Sequence, residues 1–194
     1  MFKDLSQVFG ALKSKSYAYT SPFVGISTYE VLGAAALGTN TAIHAAVTLG
    51  ASATTVTTGI TNPDFPRALL VKGNASGIAG NVTIYGKDVN GYNIQEVIAL
   101  NGSSVVNGRV PFASVSKIVL PAKTNASGDT VSIGTTAKLG LIHPITASTD
   151  IKLLKVAGTA ESAAAVDATN GTITTTTALD GTKLVEVVYL TKVI

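Results

Sequence analysis

The chain has 194 residues, 46% of them hydrophobic and only 13% charged, half the roughly 25% charged share of an ordinary globular domain. This apolar content and a positive mean hydropathy exclude general disorder, which needs low hydrophobicity. The lack of cysteine excludes a disulfide framework, a thiol nucleophile and a cysteine-ligated zinc site. The net charge of +3 comes largely from Lys3, Lys13 and Lys15 against Asp4, leaving no basic stripe for nucleic acid elsewhere.

Residues 1–16 carry the one helical pattern. Phe2, Leu5, Val8, Phe9 and Leu12 recur at three and four, which gathers them on one face of a helix with the lysines and serines opposite. So short a helix is marginal alone and is expected to dock, either on its own domain or on another subunit. The first residues lack the continuous apolar stretch of a secretory signal. Residues 31–63 contain no charged side chain, but Thr39, Asn40, Thr41, His44, Thr48 and the threonines of 54–61 interrupt them. Strands with a polar face fit that pattern better than a membrane span.

From Tyr17 onward, short runs of Val, Ile and Thr are punctuated by Gly, Asn, Asp and Pro, the pattern of an all-β sandwich or barrel. The expected strands are 23–31, 42–49, 54–60, 67–73, 81–87, 92–100, 115–120, 130–135, 151–156, 163–168, 172–177 and 184–190. Pro63 and Pro66 make 62–66 a rigid connector. Asn90-Gly91 predicts a hairpin between 81–87 and 92–98. A two-residue turn would set Ile84 beside Val97; the favoured three-residue turn, with Gly91 in a left-handed bulge, puts Val82, Ile84, Ile94 and Ile98 on one face, with Glu96 sharing it. Asn170-Gly171 and Asp180-Gly181 link the last three strands into an expected meander. Pro144 interrupts the pattern and marks a boundary. The expected organisation is an N-terminal arm over 1–20, a main antiparallel β-sandwich of immunoglobulin-like or jelly-roll-like type over 21–145, and a C-terminal β unit over 146–194.

Candidate chemistry is sparse. His44 lies in an alanine-rich strand and His143 precedes a proline; both read as structural or surface residues. No serine sits in a nucleophile elbow. Gly73, Gly77 and Gly80 have the wrong spacing for a dinucleotide fingerprint and open a strand rather than a helix. Asp88-Val89-Asn90-Gly91 departs from a calcium loop at Tyr92, and Asp129 and Asp150 read as turn acids that bond their own backbone. Tyr17, Tyr19 and Tyr29 offer stacking surfaces for sugars, but alternating tyrosines on a strand suit cross-strand packing. No enzyme, cofactor or metal is expected.

Several phrases resemble structural proteins of tailed-bacteriophage virions: Thr61-Asn62-Pro63-Asp64-Phe65-Pro66-Arg67, Gly80-Asn81-Val82-Thr83-Ile84-Tyr85-Gly86, Ile98-Ala99-Leu100-Asn101-Gly102, Thr130-Val131-Ser132-Ile133-Gly134 with Lys138-Leu139-Gly140-Leu141, and Asp167-Ala168-Thr169-Asn170-Gly171-Thr172-Ile173-Thr174 with Asp180-Gly181-Thr182. The resemblance spans residues 40–190 with gaps. It implies a multi-copy capsid decoration or head auxiliary protein on the capsid surface, binding the major capsid protein lattice as a homo-oligomer, a trimer being favoured. Neither nucleic acid nor membrane is an expected partner. The expected partner-binding residues are Phe2, Leu5, Val8, Phe9, Leu12, Lys13 and Lys15, a clamp onto an acidic or apolar shell surface. A tail-tube, adaptor or fibre role and a carbohydrate-binding adhesion module are the alternatives.

Overall fold

Local pattern becomes local structure along most of the chain. The structure is a computed structural model that describes residues 26–125 and 128–191. The helix expected over 1–16, its partner-binding residues, and Tyr17 and Tyr19 lie outside the described residues. The described chain forms β1 (Ile26–Gly33), β2 (His44–Thr48), β3 (Thr54–Val56), β4 (Arg67–Gly73), β5 (Asn81–Lys87), β6 (Asn93–Ala99) and β7 (Val105–Phe112). It continues with β8 (Ser114–Leu120), β9 (Thr130–Gly140), a single 3-10 turn (Ser148–Asp150), β10 (Ile151–Val156), β11 (Thr159–Glu161), β12 (Ala165–Asp167), β13 (Thr172–Thr174) and β14 (Val185–Thr191). Strand pairing is antiparallel throughout, in three sheets. The all-β sandwich expected from the sequence is the observed architecture.

One sheet runs β12-β13-β9-β4-β7, with β2 pairing the first half of β9, and faces a second sheet ordered β3-β8-β5-β6. Between them lies a core that includes Leu69, Val71, Ile84, Phe112, Ile118 and Ile133, all fully buried. The alternation in β5 explains its seat there: Val82 and Ile84 point inward while Asn81 and Lys87 stay exposed. β4 reads as a continuous apolar run because Ala68, Leu69, Leu70 and Val71 are all buried. The third sheet, β1-β14-β10-β11, closes a second core in which Leu139 of β9 and Ile173 of β13 meet Leu154, Val185, Val187 and Tyr189. β9 therefore serves both cores, Val131 and Ile133 lining the first and Leu139 the second. Leu32 of β1 joins the second core.

The β5–β6 hairpin takes the bulged form. Lys87 pairs with Asn93, the Gly91 N–H donates to the Asp88 carbonyl, and Gly91 has φ +82°, a left-handed conformation that glycine adopts without steric cost. Ile84 stands opposite Glu96 and Val82 opposite Ile98, so Glu96 does share the apolar face.

The structure explains what it does there. β7, which the strand pattern does not predict, is interrupted by Asn107-Gly108 and Pro111, and its pairing with β4 slips between Pro111 and Asn107. That bulge frees two N–H groups, and the Glu96 carboxylate accepts both, from Arg109 at 2.7 Å and Val110 at 3.4 Å. A carboxylate on β6 thus ties the edges of two sheets that share no strand ladder. Burial pushes its pKa up, against the opposing pull of those N–H groups.

The terminal meander does not form. The β12–β13 hairpin is present, but β13 pairs onward with β9, and β14 lies between β1 and β10 in the other sheet. The physical reason is the apolar character of β14, which buries Val185, Val187 and Tyr189 in the second core and gains a ladder on each edge, from β1 and from β10. The segment between β13 and β14 is long enough to carry the chain there. The uncharged stretch 31–63 forms the end of β1, β2 and β3, and among the described residues no helix is long and apolar enough to cross a membrane.

Candidate interaction surface

The carboxylates come first, because most catalytic and metal chemistry would need them. Of the ten described, nine accept a backbone N–H. Asp129 takes those of Thr124 and Asn125, Asp150 those of Thr146 and Ala147, and Asp180 those of Thr182 and Lys183. Glu161 takes Thr176 and Thr177, Asp88 takes Asn90 and Tyr92, and Asp167 takes Asn170. Asp64 (Ala36, Phe65), Glu96 (Arg109, Val110) and Glu30 (Ile142) complete the set. The tenth, Glu186, accepts the Tyr29 hydroxyl. Among the described residues, no three His, Asp or Glu side chains come together as metal ligands.

These bonds set the acid response of the fold. N–H donors favour the charged carboxylate. Donation from Asn125 holds Asp129 low, that from Thr146 holds Asp150 low, and Lys183 with Thr182 does the same for Asp180. At Asp64 and Asp167 burial acts in the opposite direction, but their hydrogen bonds outweigh it and the pKa is again lowered. A lowered native pKa contributes stability that is complete above the unfolded value near ~3.9 and is lost as pH falls through the native value. Glu96, raised by burial, has the reverse sign: its contribution is present in acid and lost as pH rises through its raised pKa. Five groups outnumber one, so the melting temperature is expected to hold between pH 7 and 5 and to fall steeply below pH 4. An unchanged melting temperature at pH 3 would contradict this account.

His44 is anchored locally, Nδ1 lying 2.8 Å from the Ala45 carbonyl. The other histidine, His143, sits beside a network in which the buried Tyr189 hydroxyl donates to Glu30 at 2.6 Å while Ile142 N–H donates to Glu30 and His143 N–H to Tyr189. Burial, with Glu30 beside it, pushes the Tyr189 phenol well up. The segment around Pro144 is thereby bound to the third sheet. Next to it lies an open recess of about 280 Å³ lined by residues that include Asp88, Asn90, Pro111, His143 and Asn170. Both of its asparagine side chains are already engaged: Asn90 Nδ2 donates to the Ile142 carbonyl and Asn170 Nδ2 to Asp167.

The remaining distinctive surface is the outer face of the third sheet. Alternation on β1 turns Glu30 and Leu32 inward and Tyr29 and Val31 outward, where they are 61% and 49% exposed. On β14, Val188 and Leu190 face out, and on β10 so does Leu153. The register sets Tyr29, Val188 and Leu153 side by side across three strands, with Val31, Glu186 and Lys155 in the next row. Tyr29 is thus a cross-strand partner, as its spacing predicts. An antiparallel sheet face turned to water is ordinarily polar; this one mixes Tyr29, Val31, Val188 and Leu153 with the charged Glu186 and Lys155.

No family model matches the chain, and no curated protein or solved structure shows significant similarity to it.

Strand-pattern reading does not single out Val188, Leu190 and Leu153 as surface residues. The available signal is in 184–190, where apolar residues occupy both parities of one strand. A strand with one wet face would alternate, so β14 carries the pattern of a strand covered on both sides.

Proposed function

We propose that this chain is a structural component of a tailed-bacteriophage virion, a capsid decoration protein that binds the head shell as a homo-oligomer and acts by packing rather than by catalysis. The use of the carboxylates carries the reading: nine of the ten among the described residues are spent holding loop and bulge N–H groups, so these polar groups go into fixing the chain's own surface. A rigid, nearly neutral surface suits close contact between identical copies, where charge would have to be desolvated or paired. The phrases that resemble virion proteins also have structural roles. Asn62 accepts the Val115 N–H, Asp64 and Arg67 form a buried clip, and the segment 80–86 supplies β5.

Co-sedimentation of the purified protein with empty capsid shells from the same source tests this reading. Saturable binding at a fixed ratio per lattice position, with a trimer by light scattering, is the expected result. Location on the tail by cryo-EM would replace it with the tail-component reading. Absence from particles together with glycan-array binding would replace it with adhesion.

A further inference from the structure

The recess of about 280 Å³ next to Pro144 has a projecting neighbour. Tyr92, in the β5–β6 turn, is 71% exposed, more than any other large apolar side chain among the described residues, and it takes no part in lining the recess. Asp88 joins the two. It lines the recess, its Oδ1 accepts the Tyr92 N–H at 2.9 Å, and its own N–H donates to the Tyr92 carbonyl at 3.0 Å. We propose that Tyr92 of one copy of this chain seats in the recess of another copy, as knob and hole of a contact between identical subunits.

The chemistry of the recess fits this occupant. Ile94, Val110, Pro111 and Leu141 give it apolar walls, and Asp88 and His143 add polar groups. Tyrosine is the matching side chain, an apolar ring with a hydroxyl at its end. Asp88 spends Oδ1 on the N–H groups of Asn90 and Tyr92, which leaves Oδ2 to accept that hydroxyl. The partner is a second copy because knob and hole lie side by side on one chain. Copies related by a rotation axis near Asp88 present each knob to a neighbour's hole, and such contacts close into a small ring. The exposed Lys87 beside Asp88 leaves the turn neutral, so like copies do not repel one another there. Both halves are also held in place before contact. Lys87 pairs with Asn93 at the base of the turn, the Gly91 N–H donates to the Asp88 carbonyl at 3.1 Å, and Asn90 Nδ2 donates to the Ile142 carbonyl at 3.1 Å, which ties the hairpin to the far wall of the recess. Docking therefore costs little ordering, and a seated tyrosine is the kind of anchor that dominates such contacts. The inference rests on the self-association in the reading above, and not on the shell.

Sedimentation velocity of the full chain over a concentration series tests it. The unaltered protein is expected to self-associate. Tyr92→Ala and Thr169→Trp are each expected to weaken that association about tenfold or more, and Tyr92→Phe, which keeps the ring, to stay within about threefold. Thr169 is an exposed residue lining the recess, so a tryptophan there fills the hole without entering a core. Tyr92→Ala retains the hole and Thr169→Trp retains the knob. An equimolar mixture of the two is therefore expected to associate at concentrations where neither does alone. A monomeric unaltered protein, unchanged association of Tyr92→Ala, or no association in the mixture would overturn the inference. So would a co-purified small molecule, seen by native mass spectrometry and displaced by Thr169→Trp, which would assign the recess to a ligand. Circular dichroism confirms that each variant is folded. Self-association that depends on Tyr92, in a protein that leaves shells unbound, would reject the virion reading and uphold this one.

Discussion

Replacing Arg67 by alanine is expected to cost about 3 kcal/mol of stability, a fall of roughly 6–12 °C in melting temperature for a chain of this size. Arg67 is only 1% exposed. Its Nε donates to the Thr136 carbonyl at 2.8 Å, one terminal nitrogen to the Ala36 carbonyl at 3.0 Å, and the other to Asp64 at 2.8 Å. One guanidinium therefore joins the 62–66 connector, the segment after β1, and the middle of β9. Alanine would leave two carbonyls without their donor and Asp64 without its ion-pair partner, together with the space of the largest fully buried side chain. The lower end of the range for a broken buried pair applies because the Asp64 side chain is 34% exposed. Arg67→Lys, a point charge in place of a fork, should lose about half as much, and Asp64→Asn about 1 kcal/mol. Chemical denaturation of the three variants checks the order; a loss below 1 kcal/mol for Arg67→Ala would show that the clip does not hold these segments.

Gly134→Ala is expected to destabilise by at least 2–3 kcal/mol through overpacking. Gly134 lies in β9 where the segment after β1 crosses it. An added Cβ would stand 1.9 Å from the Thr39 carbonyl oxygen and 2.6 Å from the Asn40 carbonyl carbon. Both are backbone atoms, and that backbone is held because the Thr135 N–H donates to the same Thr39 oxygen at 3.0 Å. Gly91→Ala provides the contrast: nothing lies within 4 Å of its added Cβ, and only φ +82° opposes it, at a cost of about 1 kcal/mol. Equal losses in the two variants would mean that β9 and the crossing segment can part without penalty.

Expectation and structure diverge at particular residues. β4, β5 and β10 match the predicted bounds 67–73, 81–87 and 151–156, because each has a clear apolar run between turn residues. β7 escapes notice because Asn107, Gly108 and Pro111 are turn formers, tolerated in an edge strand whose bulge is satisfied from β6 by Glu96. β11 is hidden for a similar reason: its hairpin turns on Ala157-Gly158 rather than Asn-Gly, with Ala157 at φ 51°. The outer face of the third sheet is not legible in the order of residues, since it draws Tyr29, Leu153 and Val188 from three separate strands.

The amino-acid order by itself determined the all-β class, the strand positions with local alternation, the Gly91 hairpin and the role of aspartates as turn acids, because each depends on residues within one turn or one strand. Only the tertiary structure decided that β14 joins β1 rather than β13, that Arg67 ties three segments, that Glu96 bridges two sheets and that Tyr29, Val188 and Leu153 meet on the outer face of the third sheet. Those outcomes depend on contacts between residues distant in the chain, where strands compete for the same partners and total burial, rather than local period, selects the pairing.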